Sequence, residues 1–572
     1  MNTRIRGKWD LWSRQNLEDP DLRSDLQKMQ YNEKEMEDCF YRDLEFGTGG
    51  LRGVIGAGTN RMNIYTVAKA TQGYSNYLNR YFHNPSVAIA YDSRIKSDQF
   101  ANVASSVFSA NGIHVYIYQE LMPTPALSFA IRQIQCSGGI VITASHNPAK
   151  YNGYKVYGND GCQITTEVAE EILTEIEAIN IFEEVEKIAF EDGIQQGLIS
   201  YIGEDVVSAY INAVSAQSLC GDEAIDKAVS IVYTPLNGAG LKCVTKCLKE
   251  NGFTNISIVS EQENPDGNFP TCPYPNPEIR EALELGLKAA KRLNSELLLA
   301  TDPDCDRIGI AVRVGGEYIL LSGNEVGILL LDYICKRRIA LNKMPKAPVL
   351  IKTIVSIDMA KQIARDYGVK VIDVLTGFKF IGEQIGLLEQ SGEVDNYIFG
   401  FEESYGYLSG SYVRDKDAVN GALLICEMFA YYKTKNQGLL DVLNELYQKY
   451  GYCLNTLHSY EFEGVEGFVK MQNIMAVFRD AYPKSWIGRK VMVVSDYKES
   501  LMRYADGHSE KIKLPVSDVL KYELEGHISI VVRPSGTEPK LKVYLSVTAR
   551  DKESALELEN KLLIDLEKML TL

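Results

Sequence analysis

Asp302, Asp304 and Asp306 alternate in the segment ATDPDCDR. Alternate residues of an extended chain face the same way, so three carboxylates share one side and repel unless a cation sits among them. Hard oxygen donors suit Mg2+, which takes few carboxylates and keeps a phosphate oxygen in its shell. An EF-hand loop does not fit, because RIGIAVRV follows without glycine at position six or glutamate at twelve. A solvated acidic turn is the plainer reading, and the adjoining apolar strand counts against it. Arg307, next along the chain, offers a planar fork for phosphate oxygens.

Ser145 lies in Thr143-Ala-Ser-His-Asn-Pro148, directly after the apolar run GGIVI. A serine reacts when a base activates it or a strong electrophile meets it. His146 is next door, but neighbours on a strand point apart. Lys155, beyond the Tyr151-Asn152-Gly153 turn, is the better placed to approach. A capped turn with ordinary hydrogen bonds explains the same residues. Glu402, Glu403 and Ser404 sit in GFEESYG, again after an apolar run. Two carboxylates and a hydroxyl suit the adjacent hydroxyls of a sugar, and a surface turn explains them nearly as well. Arg533-Pro-Ser-Gly-Thr-Glu-Pro-Lys540 gathers Arg533, Ser535, Gly536 and Thr537 between two β-runs. Glycine lets backbone N–H groups approach an anion, and arginine grips its oxygens. Phe46–Gly53 holds four glycines in eight residues, but it does not complete a GxGxxG cleanly and no strand clearly precedes it. A dinucleotide fingerprint is therefore unsupported.

These loops need elements to position them, and one pattern recurs three times. A β-branched run ends in a polar loop, a helix follows, and another β-run comes next, which is the βαβ signature of a parallel or mixed sheet. The runs are SVAIAYDSR (86–94), IHVYIYQE (113–120) and GIVITASHNP (139–148). Next come AVSIVYTPLNGAG (228–240), NISIVSEQ (255–262) and ELLLATDPDCDR (296–307). The third set is PVLIKTIVS (348–356), VKVIDVLTGFK (369–379) and NYIFGFEESYG (396–406). Helices are expected at 278–294 and 358–368. The third run of each unit ends in its most unusual polar loop. Ligands of open α/β sheets bind beyond the carboxyl ends of strands, so three such loops converging on one cleft would make a composite site. The tail differs. After a helical stretch at 417–435, KVMVVSDYKE and HISIVVRPSGTEPKLKVYLSVTA suggest an antiparallel sheet, closed by a C-terminal helix. The expectation is an α/β protein of four domains, at 1–205, 206–320, 321–450 and 451–572. The polar first forty residues read as surface helix.

The 572 residues are 45% hydrophobic and 24% charged, an ordinary globular composition. The formal net charge of −16 argues against a nucleic-acid partner, which needs a basic surface. It leaves room for a small phosphorylated ligand held by a few local cations. No run approaches the roughly 20 apolar residues of a membrane helix, and the charged start carries no secretory h-region. Eleven cysteines without a CxxC pair read as reduced thiols of a cytoplasmic protein. Cys243 and Cys247, four apart, read as packing.

TASHNP, DPDCDR, GFEES and RPSGTEP occur in this order, roughly 100–150 residues apart. In that order they resemble the α-D-phosphohexomutase superfamily, specifically its phosphoglucomutase branch. The resemblance covers nearly the whole chain from Gly47 onward. It implies three related α/β domains and a smaller C-terminal domain around a central cleft. It also implies an intramolecular phosphotransferase acting on glucose phosphates, with Mg2+ as cofactor and glucose 1,6-bisphosphate as activator. Ser145 would carry the phosphoryl group and join Asp302, Asp304 and Asp306 as a metal ligand. Arg52, Lys155 and His146 would support the transfer. Arg307 would bind substrate. Glu402, Glu403 and Ser404 would read the sugar hydroxyls. Thr376 and Gly377 would bind in the same sugar loop, and Lys379 matches the position that is lysine in phosphoglucomutases. Arg533, Ser535, Gly536 and Thr537 would hold the non-reacting phosphate. The segment RDKDAV stands where many relatives have KDG, which resembles the phosphopentomutase-like branch. Phosphopentomutase or phosphomannomutase activity, or non-catalytic binding of a sugar phosphate, are the alternatives.

Overall fold

A computed structural model describes residues 3–570 apart from 48, 222, 463, 482 and 535–539, with the side chains of 464–466 also left aside. The chain divides into two compact units. One comprises Met1–Gly323, Phe378–Gly400 and Ser404–Tyr431. The other comprises Asn324–Gly377, Phe401–Glu403 and Tyr432–Leu572.

The first unit contains two mixed sheets. The larger runs Phe46–Gly47, Gly50–Val54, Tyr151–Gly158, Gly138–Ile142, Ser86–Tyr91, His114–Tyr118, Ile199–Ile202 in spatial order. Its centre is parallel, with Ser86–Tyr91 between Gly138–Ile142 and His114–Tyr118. Val87 to Ala90 and Ile140 to Ile142 are wholly buried, as expected of strands covered on both faces. The helix Ile64–Tyr81 starts on a capping box, Asn63 and Thr66 each accepting from the other's backbone N–H. The second sheet runs Glu317–Leu321, Ile308–Val314, Leu297–Thr301, Ile231–Thr234, Ile256–Ile258. In both sheets a functional loop follows a strand that is paired in parallel on one side and antiparallel on the other. The helix expected at 278–294 divides into a 3-10 turn at Arg280–Leu283 and an α-helix at Glu284–Leu293.

The first forty residues form three helices, Thr3–Arg14, Pro20–Met29 and Glu33–Phe40. They are less superficial than their composition suggests. Ile5, Trp9 and Trp12, then Leu22, Leu26 and Met29, then Met36, Cys39 and Phe40 are buried. The spacing of three and four is that of an amphipathic stripe hidden among charges. Trp12, 1% exposed, meets Phe40, Tyr65 and Phe182 edge-on, with centroids 5.2–6.0 Å away.

In the second unit, Val349–Thr353 and Lys370–Val374 pair in parallel, with the helix Met359–Asp366 between them in sequence. The tail is an antiparallel sheet in the order Tyr452–Glu461, Lys540–Ala549, Ile528–Pro534, Leu520–Leu524, Arg489–Asp496, Leu501–Tyr504, Ser509–Lys511. The helix Lys552–Leu570 buries Ala555, Leu562 and Leu566 in the same core as Ile530 and Val543. Among the described residues no helix is long and apolar enough to cross a membrane. The eleven cysteines are buried free thiols, and Cys243 and Cys247 pack inside the helix Gly240–Glu250.

Replacing Trp12 by alanine should destabilise the first unit by about 3–5 kcal/mol, the usual cost of truncating a fully buried large aromatic. Urea unfolding followed at residues of that unit measures it. A loss below about 1 kcal/mol, the scale of a surface substitution, would mean that the N-terminal helices are dispensable to the core.

Candidate active site

Ser145 follows the strand Gly138–Ile142 in a left-handed conformation, φ 52°. That conformation is costly for a residue with a Cβ. Its backbone N–H donates to Thr143 Oγ1 at 2.8 Å. Its hydroxyl donates to Asp302 Oδ2 at 2.9 Å and lies 3.1 Å from His146 Nδ1. The sequence argument that His146 must point away assumed an extended chain, and the left-handed turn at Ser145 removes that premise. Lys155, expected to approach Ser145, bonds two aspartates of the triad whose Asp302 accepts from that serine. It stands on the strand Tyr151–Gly158, and its ammonium donates to Asp304 Oδ2 at 2.9 Å and lies 3.7 Å from Asp306 Oδ2.

The aspartates occupy a turn between Leu297–Thr301 and Ile308–Val314, with Cys305 at φ 52°. All three are buried. One carboxylate oxygen from each lies within 4.8 Å of the others. Asp302 Oδ1 accepts the backbone N–H groups of Asp306 and Arg307 at 3.1 and 3.0 Å. Asp304 Oδ2 also accepts from Thr124 Oγ1 at 3.0 Å. Asp306 Oδ2 pairs with Lys416 Nζ at 2.9 Å. Burial, then the carboxylates of Asp304 and Asp306, push Asp302 well above the ordinary range. Burial would do the same to Asp304, but Lys155 overcomes it and holds the carboxylate low. Lys155 is the converse case: burial opposes its charge, and Asp304 and Asp306 raise it above an ordinary lysine.

The donor set fits a hard divalent cation. Asp304 Oδ1 is buried without a hydrogen-bond partner; so is Asp306 Oδ1, with Arg307 Nε 3.7 Å away. Buried carboxylate oxygens left so are costly, and oxygen-only ligands at this spacing are what such a cation takes.

Arg307 Nη1 donates to Glu278 at 2.8 Å. Arg52 is exposed on Gly50–Val54, where it registers with Gly153. Gly50 beside it has φ 141°, and a Cβ there would lie 1.8 Å from the Tyr154 carbonyl oxygen, so the hairpin requires glycine. Burial, then Arg307 and Arg52, push His146 well below an ordinary histidine, so its imidazole is neutral at pH 7. Ser404 lies in the first unit. Lys379 opens the helix Phe378–Gln390, its ammonium over the Phe380 ring at 5.0 Å.

The remaining expected residues belong to the second unit. Thr376 and Gly377 follow the strand Lys370–Val374, with Gly377 at φ 123°. Glu402 is buried, and Glu403 accepts from Thr353 Oγ1 at 3.1 Å. Arg533 lies at the end of Ile528–Pro534. Burial and then Glu403 push the Tyr544 phenol up to about 12, Arg533 opposes them, and Glu402 adds to the rise. The charges of Glu402, Glu403 and Arg533 thus all act on one phenol. Ser535, Gly536 and Thr537 lie outside the described residues.

Sequence reasoning missed Lys416, Thr124, Asp92, Arg94 and Tyr544. For Lys416 a signal existed, a lysine between two aspartates in RDKDAV. Asp415 accepts from Tyr157 Oη at 2.7 Å, and Asp417 from Tyr412 and Tyr210 at 2.7 and 2.9 Å. These bonds fix the segment from which Lys416 reaches Asp306.

A serine hydroxyl on a buried triad of metal-type carboxylates, carried by tandem α/β sheets, defines a phosphohexomutase-type centre. Comparison with known proteins agrees. Phosphoglucomutase/phosphomannomutase alpha/beta/alpha domains I, II and III match residues 43–215, 208–315 and 322–450, and the C-terminal domain of that family matches 490–563. A phosphoglucomutase of Staphylococcus haemolyticus (strain JCSC1435) is 37% identical over 514 residues, 89% of this chain and 91% of the relative. One from Staphylococcus aureus (strain bovine RF122 / ET3-1) is 38% identical over 520 residues, 90% and 91% of the two chains. Among solved structures, the open form of the Paramecium phosphoglucomutase pp63/parafusin superposes with TM-score 0.69 at 18% identity, covering 93% of this chain and 96% of its own. A putative phosphomannomutase from Thermus thermophilus gives 0.67 at 21%, covering 91% and 99%. The chain belongs to the phosphoglucomutase/phosphomannomutase family.

A cation that binds only the folded triad stabilises the fold by about 2.7 kcal/mol at a hundred times its Kd. Titration with MgCl2 or CaCl2 should therefore raise the unfolding midpoint of the wild type. Asp304→Asn with Asp306→Asn should abolish the rise. An equal rise in the double variant would place the cation elsewhere.

Proposed function

We propose that this chain is a phosphoglucomutase. It interconverts glucose 1-phosphate and glucose 6-phosphate through phosphorylated Ser145 and a glucose 1,6-bisphosphate intermediate. The observation that carries the reading is the 2.9 Å hydrogen bond from Ser145 Oγ to Asp302 within a triad of buried carboxylates. Binding alone needs neither the strained serine nor the triad. The relatives named phosphoglucomutase support the same reading.

The phosphoryl group on Ser145 Oγ passes to the free hydroxyl of the bound sugar monophosphate. The bisphosphate then presents its other phosphate, which returns to Ser145 and releases the isomer. Asp302, Asp304, Asp306 and the phosphoserine would hold Mg2+, which would supply charge neutralisation for the phosphoryl group. Lys155, kept charged by the aspartates, adds a fixed positive charge beside them. His146, neutral and 3.1 Å from Ser145 Oγ, is placed to exchange a proton with that oxygen. Arg52 and Arg307 steer the phosphates. Glu402, Glu403 and Ser404, with Thr376, Gly377 and Lys379, read the sugar hydroxyls. Arg533, Ser535, Gly536 and Thr537 hold the phosphate that is not reacting, with glucose 1,6-bisphosphate acting also as activator. These roles fit four domains at 1–205, 206–320, 321–450 and 451–572. The free thiols fit a cytoplasmic protein.

Ser145→Ala removes only a hydroxyl, so the fold should persist while turnover falls below about a thousandth of wild type. A coupled assay on glucose 1-phosphate with the bisphosphate, run beside mannose 1-phosphate and ribose 1-phosphate, tests this. Near-normal turnover by the variant would end the phosphoserine reading, and a preference for another sugar would reassign the substrate. Arg533→Ala should raise KM about tenfold or more, since a charged hydrogen bond contributes about 1.5–3 kcal/mol. An unchanged KM for glucose 1-phosphate would show that the phosphate is gripped elsewhere.

A further inference from the structure

Arg94 belongs to none of the motifs from which the reaction is read, yet its guanidinium gathers the serine loop. Nη1 donates to the carbonyls of Pro148 and Tyr151 at 3.1 and 3.0 Å. Nη2 donates to the carbonyl of Ser145 at 2.5 Å and to that of Asn147. The side chain is buried, 3.4 Å from Asp92, and its guanidinium lies over Phe269 at 5.1 Å. The Arg94 backbone bridges to Gly267, where a Cβ would lie 2.4 Å from the Ile95 nitrogen. Asp92 in turn accepts from Ser97 Oγ at 2.9 Å and from Thr143 Oγ1 at 2.6 Å. Thr143 Oγ1 is also the acceptor for the Ser145 N–H.

The two peptide groups that flank Ser145 are therefore both fixed. The N–H side is held by Thr143, itself anchored on Asp92, and the C=O side is held by Arg94. Fixing both planes fixes φ and ψ, and without them a serine at φ 52° relaxes to a commoner conformation. We infer that Arg94, with Asp92 as its counterion, is a positioning residue that locks Ser145 in the left-handed conformation from which its hydroxyl reaches Asp302. A guanidinium is required because four carbonyls converge from different directions on one planar fork. An ammonium with three donors cannot match them. The kinetic consequence rests on Ser145 being the phosphoryl carrier; the structural content does not.

Two readouts on the full-length chain test this. In Arg94→Lys, amide exchange of peptides covering residues 143–151 should speed up about tenfold or more, while peptides from Ser86–Tyr91 keep their protection. Turnover per folded molecule should fall about a hundredfold, as expected when a reacting group is displaced by an ångström. KM for the sugar phosphate should stay within about threefold, because no substrate contact is lost. Thr143→Val should reproduce the pattern, and Thr143→Ser, which restores the hydroxyl, should rescue it. Wild-type exchange and turnover in Arg94→Lys would overturn the assignment. So would a loss that merely tracks the unfolded fraction. If the wild type itself shows no mutase activity, the proposed function falls, and the exchange data still decide the role of Arg94.

Discussion

Three buried carboxylates in one turn are the constraint around which the first unit is arranged. At an effective dielectric of 20, two unit charges 4 Å apart interact by about 4 kcal/mol, so the triad cannot stand without compensation. Lys155 and Lys416 supply it from separate segments, one on a sheet strand and one in the RDKDAV segment. Both ammoniums serve Asp304 and Asp306. Asp302 receives backbone N–H groups and the Ser145 hydroxyl instead. Among the described residues no lysine reaches Asp302, so burial and then the neighbouring carboxylates push it upward, while Lys155 overcomes burial and holds Asp304 down. A hard cation among these carboxylates would relieve the remaining repulsion.

Strain is distributed in the same pattern. The TASHNP loop, the aspartate loop and the GFEESYG loop each contain one non-glycine residue in the left-handed region: Ser145 at 52°, Cys305 at 52° and Tyr405 at 64°. Each loop follows a strand whose residues are almost wholly buried, so the turn is imposed by a rigid base. Two of the loops are tied directly, the Ile308 N–H donating to the Tyr405 carbonyl at 3.1 Å. Unfavourable backbone geometry persists where surrounding bonds over-determine it. The Asp92, Thr143 and Arg94 network is that over-determination for Ser145.

The sheet strands were legible in the sequence because short apolar runs buried on both faces carry their own signal, as in SVAIAY and LLLAT. So were the aspartate turn and the serine turn, whose residue types are rare at the ends of such runs. The N-terminal helices were misjudged because their apolar stripe is thin and their charge density high. The supporting residues were illegible for a different reason. Thr124 meets Asp304 across 180 positions, and Tyr157 meets Asp415 across 258. No local pattern marks such pairs. Arg94 resembled any polar residue after a strand until its four carbonyl partners were placed. His146 was judged by strand geometry, and one left-handed residue changed the outcome.

The acidity of the chain bears on how a phosphate can be held here. With a formal charge of −16, attraction for an anion must come from cations close to it. Lys155 and Lys416 are committed to the aspartates. Burial, and after it Arg307 and Arg52, disfavour protonation of His146 beside the serine. Ser145 thus has a carboxylate of the triad on its hydroxyl and, next to it, a buried histidine that the arginines help to keep neutral. In the proposed reaction the negative charge of a phosphoryl group on this hydroxyl would be met by these arginines and by the cation the triad would hold.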